Sequence, residues 1–264
     1  MTAISEYATS LALLGAIFAL FLLLEFRAPR RAGQRPDALR LVQGVVLYAS
    51  GALLNRVVLP LGIVGGALLA REHGWGLLNA LDAPLWLTIP VTVLALDATN
   101  YVRHWAEHNV PLLWRLHRLH HSDEQIDLST AFRFHPLEAL LASVCHLITT
   151  LVLGLPFEGV LIHIVLEAVF DLWEHSNVRT PAALTRIAAI LVTPSVHRVH
   201  HEIARAPDGS NYGTLFTLWD RAVGTYRAPD ADEQTAKYGL HNGADHRIVG
   251  LVEMLTDPVR GEEP

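Results

Sequence analysis

Histidine is the residue type whose number and spacing could do chemistry here. Fifteen histidines occur in 264 residues, and most fall between His104 and His201. His104-Trp-Ala-Glu-His108 is an i, i+4 pair. His117-Arg-Leu-His120-His121 follows it, and His197-Arg-Val-His200-His201 nearly repeats that triplet. On a helix, positions i, i+3 and i+4 share one face, so each triplet can aim three imidazoles at one volume. A metal ion needs that arrangement; a solvated helix does not. At this histidine frequency one such triplet arises by chance in about one chain in twenty, and two in roughly one in a thousand.

Between the triplets, Asp171-Leu-Trp-Glu-His175-Ser-Asn177 closes an apolar run, where an ionisable side chain is a functional candidate. With His175 the candidate ligands number nine: His104, His108, His117, His120, His121, His175, His197, His200 and His201. A structural zinc site takes four protein ligands and a catalytic one takes three, so nine suit two ions. Imidazole accepts iron, zinc, copper and nickel, and ligand type alone does not choose among them.

The elements that must position these residues are membrane helices. The chain is 51% hydrophobic and only 17% charged, with a mean hydropathy of +0.30; soluble domains carry about 25% charged residues. A first apolar run, about 8–26, is long enough to cross a bilayer core. It reads as a retained anchor because no basic residue precedes it and no cleavage site follows. Arg27, Arg30, Arg31, Arg35 and Arg40 come next, which predicts a cytoplasmic loop and an external N-terminus.

Residues 41–70 form a second stretch broken by Pro60 and several glycines, readable as one interrupted crossing or two half-crossings. Further runs span about 83–102, 137–153 and 158–173; the last two, joined by Gly154-Leu-Pro-Phe157, predict a helical hairpin. If 41–70 makes one net crossing, all the histidine clusters meet on the cytoplasmic face. The polar segment 206–264 reads as a cap with a loose tail. The expectation is therefore an all-α, multi-pass transmembrane bundle, a single domain over 1–264, with a cytoplasmic histidine-rich cap holding a di-metal site.

Cys145 is alone, so no intrachain disulfide and no cysteine-held cluster can form. The net charge of -6 argues against nucleic acid as a partner. A zinc hydrolase would call for H-E-x-x-H, which is absent. A metal carrier or sensor without oxygenase activity would also collect histidines, but transport ligands belong near the bilayer midplane on broken helices, not at helix ends.

The order H-x3-H, H-x2-HH, a lone H-S-N and a second H-x2-HH resembles the fatty acid hydroxylase and sterol desaturase superfamily. So do Arg133-Phe-His135-Pro136-x-Glu138, Asn211-Tyr212-Gly213, and Trp219-Asp220-Arg221 followed by Gly224-Thr225-Tyr226. The resemblance covers about residues 90–226. It implies a multi-pass membrane enzyme in which two iron ions, O2 and two electrons oxidise a C–H bond of a membrane lipid, by hydroxylation or desaturation. It also maps the nine histidines onto the family's ligand positions, with zinc able to replace iron on purification. No fused cytochrome b5 segment is present, so the electron donor is expected to be a separate protein. The expected location is a bacterial inner membrane.

Some relatives have a histidine where this chain has Asp171. That residue can be read as a tenth ligand, as the partner of an arginine such as Arg198, or, as favoured here, as an acceptor for a ligand imidazole. Asp208 and Asp220 could orient imidazoles in the same way. Asn211-Tyr212-Gly213 reads as turn chemistry, with Asn211 supporting the site. His135 precedes Pro136 and reads as structural. His146 and His163 read as buried, hydrogen-bonded histidines of the bundle, although an intramembrane histidine can also mark a substrate path. His73, His241 and His246 read as loop residues.

Overall fold

The structure is a computed structural model, and it describes residues 3–31, 33–179, 182–203, 209–229, 236–240 and 250–259. His241, His246 and Asp208 lie outside the described residues. All the regular elements among the described residues are helical: α1 (Ala3–Arg27), α2 (Ala38–Val58), α3 (Gly62–His73), α4 (Leu77–Ala80), α5 (Leu85–Asn109), α6 (Pro111–His121), α7 (Pro136–Leu153), α8 (Phe157–His175), α9 (Pro194–His200), α10 (Leu218–Val223) and α11 (Leu251–Thr256). Short 3-10 turns stand at Thr130–Phe132, Ala182–Ala189 and Asp257–Val259.

The bundle is polar inside and apolar outside, the reverse of a water-soluble fold. Leu53, Val57, Leu94, Ile148, Val152 and Ile162 face outward, whereas Asp97, Asn100, Glu107, His146, Thr150 and His163 are buried. Such a surface suits hydrocarbon and not water. Three segments are long and apolar enough to cross a membrane: Ala38–Ala80, Leu85–Asn109 and Pro136–Leu153. α8 carries too many charged residues to qualify on composition, yet it packs on α5 and buries Glu174.

The broken stretch after Arg40 makes one net traverse. Gly44 lies against Phe132, Gly51 against Ala139, and Gly66 against Leu147 and Leu151, while Gly76 meets Gly154. Contacts that advance together along both segments mean that α2 and α3 run parallel to α7 over its whole length. Leu59-Pro60-Leu61 is a break within that traverse. Gly154, at φ 66°, turns the chain from α7 into α8, and Gly159 lets α8 approach Thr92 of α5 so closely that a Cβ would lie 2.7 Å from it.

One end of the bundle is therefore shared by the ends of α1, α5 and α8 and the starts of α2 and α7. The arginine-rich loop sits at this end, beside the histidines. Arg40 pairs with Asp123 at 2.6 Å and Asp127 at 2.5 Å, just past the first triplet. Arg30 N–H donates to the Asn177 carbonyl at 2.9 Å, just past His175. Glu25, at the end of α1, accepts from the N–H groups of Leu128 and Asn177 at 2.9 and 2.6 Å. Asp97 anchors the cap to α5, accepting from Leu215 N–H, Phe216 N–H and Trp219 Nε1 at 2.9, 3.3 and 2.8 Å. A carboxylate in an apolar helix is costly unless hydrogen-bonded, and here the cap supplies the donors.

Candidate metal centre

All nine candidate histidines are drawn together at this end of the bundle, in two adjoining clusters. His104, His108, His117, His121 and His200 form one; His120, His175, His197 and His201 form the other. Each triplet is divided rather than aimed whole at a single point. The i, i+4 pair His117 and His121 joins the first cluster while His120 turns to the second. His197 and His201 join the second while His200 turns to the first. A residue at i+3 lies about 100° around the helix from i+4, enough to separate two adjacent points. The clusters thus mirror each other, except that α5 gives two imidazoles and α8 one. The vacant counterpart of His104, four residues before His175, is Asp171.

Within each cluster, ring nitrogens converge on one another. Nε2 to Nε2 separations are 3.1 Å for His104–His117, 3.0 Å for His121–His200, 3.1 Å for His120–His175, 2.9 Å for His175–His197 and 3.0 Å for His197–His201. Two nitrogens held about 2.1 Å from one ion lie about 3.0 Å apart at a right angle and about 3.4 Å apart in a tetrahedron. The observed spacing is that of adjacent ligands on a shared ion, so the donor set fits two metals. His108 Nε2 is also buried without a hydrogen-bond partner.

The opposite edges of the rings are held by the protein. His104 Nδ1 donates to the Tyr212 carbonyl at 2.9 Å and His200 Nδ1 to the Ser210 carbonyl at 2.8 Å. His175 Nδ1 donates to the Asp171 carbonyl at 2.8 Å, and His117 Nδ1 to Glu138 Oε1 at 2.7 Å. Such bonds fix the tautomer that leaves Nε2 with its lone pair. Glu107 and Glu174 stand 3.7 Å from the Nδ1 atoms of His117 and His197. Burial, and then crowding by other imidazoles, holds His117, His121, His197 and His201 well below the ordinary histidine range. His120 is lowered in the same way, and burial brings His200 down to about 4. These six imidazoles are therefore neutral near pH 7, the form that a metal requires.

The turn at 210–212 is built to present its two carbonyls. Asn211, at φ 55°, donates through Nδ2 to the carbonyls of Val196 and Arg227, both at 2.9 Å, and accepts from Arg227 N–H at 2.8 Å. It clamps this turn to α9, which carries His197 and His200 and is capped by His201. Asp220 accepts from Tyr212 N–H and Gly213 N–H at 2.9 Å each, so it acts on the turn and not on an imidazole directly. The carboxylates of Asp171 and Glu174 and a ring nitrogen of His175 lie within 4.8 Å of one another, and the hydrogen bond from His175 is accepted by the Asp171 backbone oxygen, at 2.8 Å. Arg198 donates to Ser195 Oγ at 3.4 Å. His135 caps α7, its Nδ1 accepting from Leu137 N–H at 3.2 Å, and takes no place in either cluster.

A membrane-type helical bundle with two facing histidine clusters at one end is the class that the fold and site define. The profile of the fatty acid hydroxylase family matches residues 89–225, and the chain belongs to that family. It is 32% identical to human (Homo sapiens) alkylglycerol monooxygenase over 56% of this chain and 32% of that protein. It is 31% identical to ornithine lipid hydroxylase OlsE of Rhizobium tropici, over 58% of this chain and 45% of that one. With Delta(7)-sterol 5(6)-desaturase erg3B of Aspergillus fumigatus it shares 24% identity over 89% of this chain and 68% of the other. The chain thus spans about a third of the first of these relatives and less than half of the second. No solved structure matches it.

Proposed function

We propose that this protein is a membrane-bound, O2-dependent oxidoreductase that hydroxylates or desaturates a lipid C–H bond at a centre of two iron ions. The observation that carries the reading is the pair of histidine clusters whose Nε2 atoms approach to 2.9–3.1 Å in a chain of the fatty acid hydroxylase family. The nine histidines would hold the two ions, and when bound these supply the redox chemistry that activates O2 with electrons from a separate donor protein. The chain's own part is to hold those imidazoles neutral and oriented. Tyr212, Ser210 and Asp171 do so with backbone carbonyls, and Glu138 with its carboxylate. Burial of the clusters at the end of α5 and α8 keeps bulk water from the reacting lipid, whose chain approaches from the bilayer side.

A carrier that merely stores or moves metal would consume no O2. Reconstituted anaerobically with ferrous iron, then given a reductant, O2 and extracted membrane lipid, the protein is expected to consume O2 in a lipid-dependent manner. Metal binding without such consumption would favour the carrier.

The arginine-rich loop and the histidine end lie together, so the positive-inside rule assigns both to the cytoplasm. Accessibility tags placed in 32–36 and at the C-terminus are expected to report the same, cytoplasmic side. Opposite sides would overturn the single net traverse of α2 and α3.

Asp171 supports the site through its backbone carbonyl, which accepts from His175 Nδ1 at 2.8 Å. Asp171→Asn should retain both metals with turnover lowered several-fold, because the backbone bond to His175 survives. Asp171→His would offer the four-histidine cluster the ring that α5 gives the other. Loss of one ion from Asp171→Asn, restored by Asp171→His, would instead make Asp171 a ligand.

A further inference from the structure

A second group of ionisable side chains lies deeper in the bundle and takes no part in the nine-histidine centre. His146 of α7 and His163 and Glu167 of α8 bring their ligand atoms within 4.8 Å of one another. Twelve positions separate His163 from His175, which along a helix is about 18 Å. The group therefore sits well down the membrane-spanning part. We propose that His146, His163 and Glu167 form a third cation site, which holds a single divalent transition-metal ion between α7 and α8.

Three features distinguish this group from an ordinary buried polar network. First, His146 and His163 are 6% and 1% exposed, yet the Nε2 atom of each is buried with no hydrogen-bond partner. A network that served only packing would pair these atoms. Second, His163 Nδ1 stands 4.0 Å from Glu167 Oε2, too long for a hydrogen bond, so the carboxylate and this imidazole do not satisfy each other. Third, the carboxylate is presented and not neutralised. Asn100 Nδ2 donates to Oε1 at 2.7 Å, which fixes the group and leaves Oε2 turned to the rings. The nearby Arg103 is directed elsewhere, donating to both Glu107 oxygens at 2.8 and 2.7 Å.

Two imidazoles and one carboxylate form a donor set with affinity for iron, cobalt, zinc and manganese, and they leave coordination positions open. A bound ion would tie the two arms of the α7–α8 hairpin together inside the bilayer and, through Asn100, to α5.

The test is a count of cobalt per chain in the full-length protein, purified in detergent and saturated with Co2+ alone. Wild type should hold three ions. His146→Ala and His163→Ala, on different helices, should each hold two. The double variant His120→Ala, His200→Ala weakens only the nine-histidine centre, and in it the third ion should remain and should disappear on adding His163→Ala. A wild-type count of two or fewer would overturn the proposal, as would a third ion that survives both His146→Ala and His163→Ala. Because the double variant reads the deep site without the nine-histidine centre, failure of one site is distinguishable from failure of the other.

Discussion

Replacing His120 or His200 by alanine is expected to abolish turnover, by at least about a thousandfold, while the chain still inserts and folds. Each removes one imidazole from one cluster. His120 Nε2 faces His175 Nε2 at 3.1 Å, and His200 Nε2 faces His121 Nε2 at 3.0 Å. The two variants should therefore lose affinity at different ions, His120→Ala at the four-histidine cluster and His200→Ala at the five-histidine one. Reduction of O2 by a pair of ions needs both, so each loss costs the whole reaction and the two are not additive. Insertion rests on apolar helices that neither change touches. The comparison is with His73→Ala, an exposed residue that stacks on Trp75 at 4.9 Å; it should keep wild-type turnover. Equal loss in His73→Ala would mean that the assay reports folding.

The next largest effect is expected at Glu138. Its Oε1 accepts from His117 Nδ1 at 2.7 Å, and the side chain is 1% exposed. A carboxylate behind a ligand imidazole fixes the ring and raises its basicity, and removing such a group typically costs about 10–100-fold in metal affinity or activity. Glu138→Gln keeps the size and can still accept through its amide oxygen, so folding should survive. The expected result is a 10–100-fold weaker ion at the five-histidine cluster, read by competition with a chelator, with the four-histidine cluster unchanged. Unaltered affinity at both would leave Glu138 as helix-packing only. Glu138→Leu should be worse, because it leaves the His117 Nδ1 proton buried without an acceptor.

Much of this arrangement was legible in the sequence because side-chain identity carries it. The two H-x-x-H-H triplets, His104, His108 and His175 pick out the imidazoles that the fold collects. The apolar runs give the helices of the bundle, and Gly154-Leu-Pro-Phe157 gives the hairpin turn. Other parts were not legible, for physical reasons. The carbonyls of Ser210 and Tyr212 orient two histidines, but a backbone oxygen has no residue type to recognise; only the Asn-Tyr-Gly turn hinted at it. Glu138 stood in a recognisable motif, but its partner lies 21 positions away and nothing local joins them. The role of Asp97, within the apolar run 83–102, depends on donors from the distant cap at Leu215, Phe216 and Trp219. The break at Pro60 could not be resolved from 41–70 alone, because its direction depends on the register against α7. Nor could periodicity show that each triplet divides between two clusters, since that requires both facing helices.

The most direct test of the central claim is comparative mass spectrometry of total lipids from cells that express the protein and cells that express His120→Ala, grown with iron and air. The wild-type cells are expected to contain a lipid class that has gained one oxygen atom or lost two hydrogens, and that is absent with His120→Ala. Identical lipid profiles in the two, with both proteins present in the membrane at equal level, would contradict it.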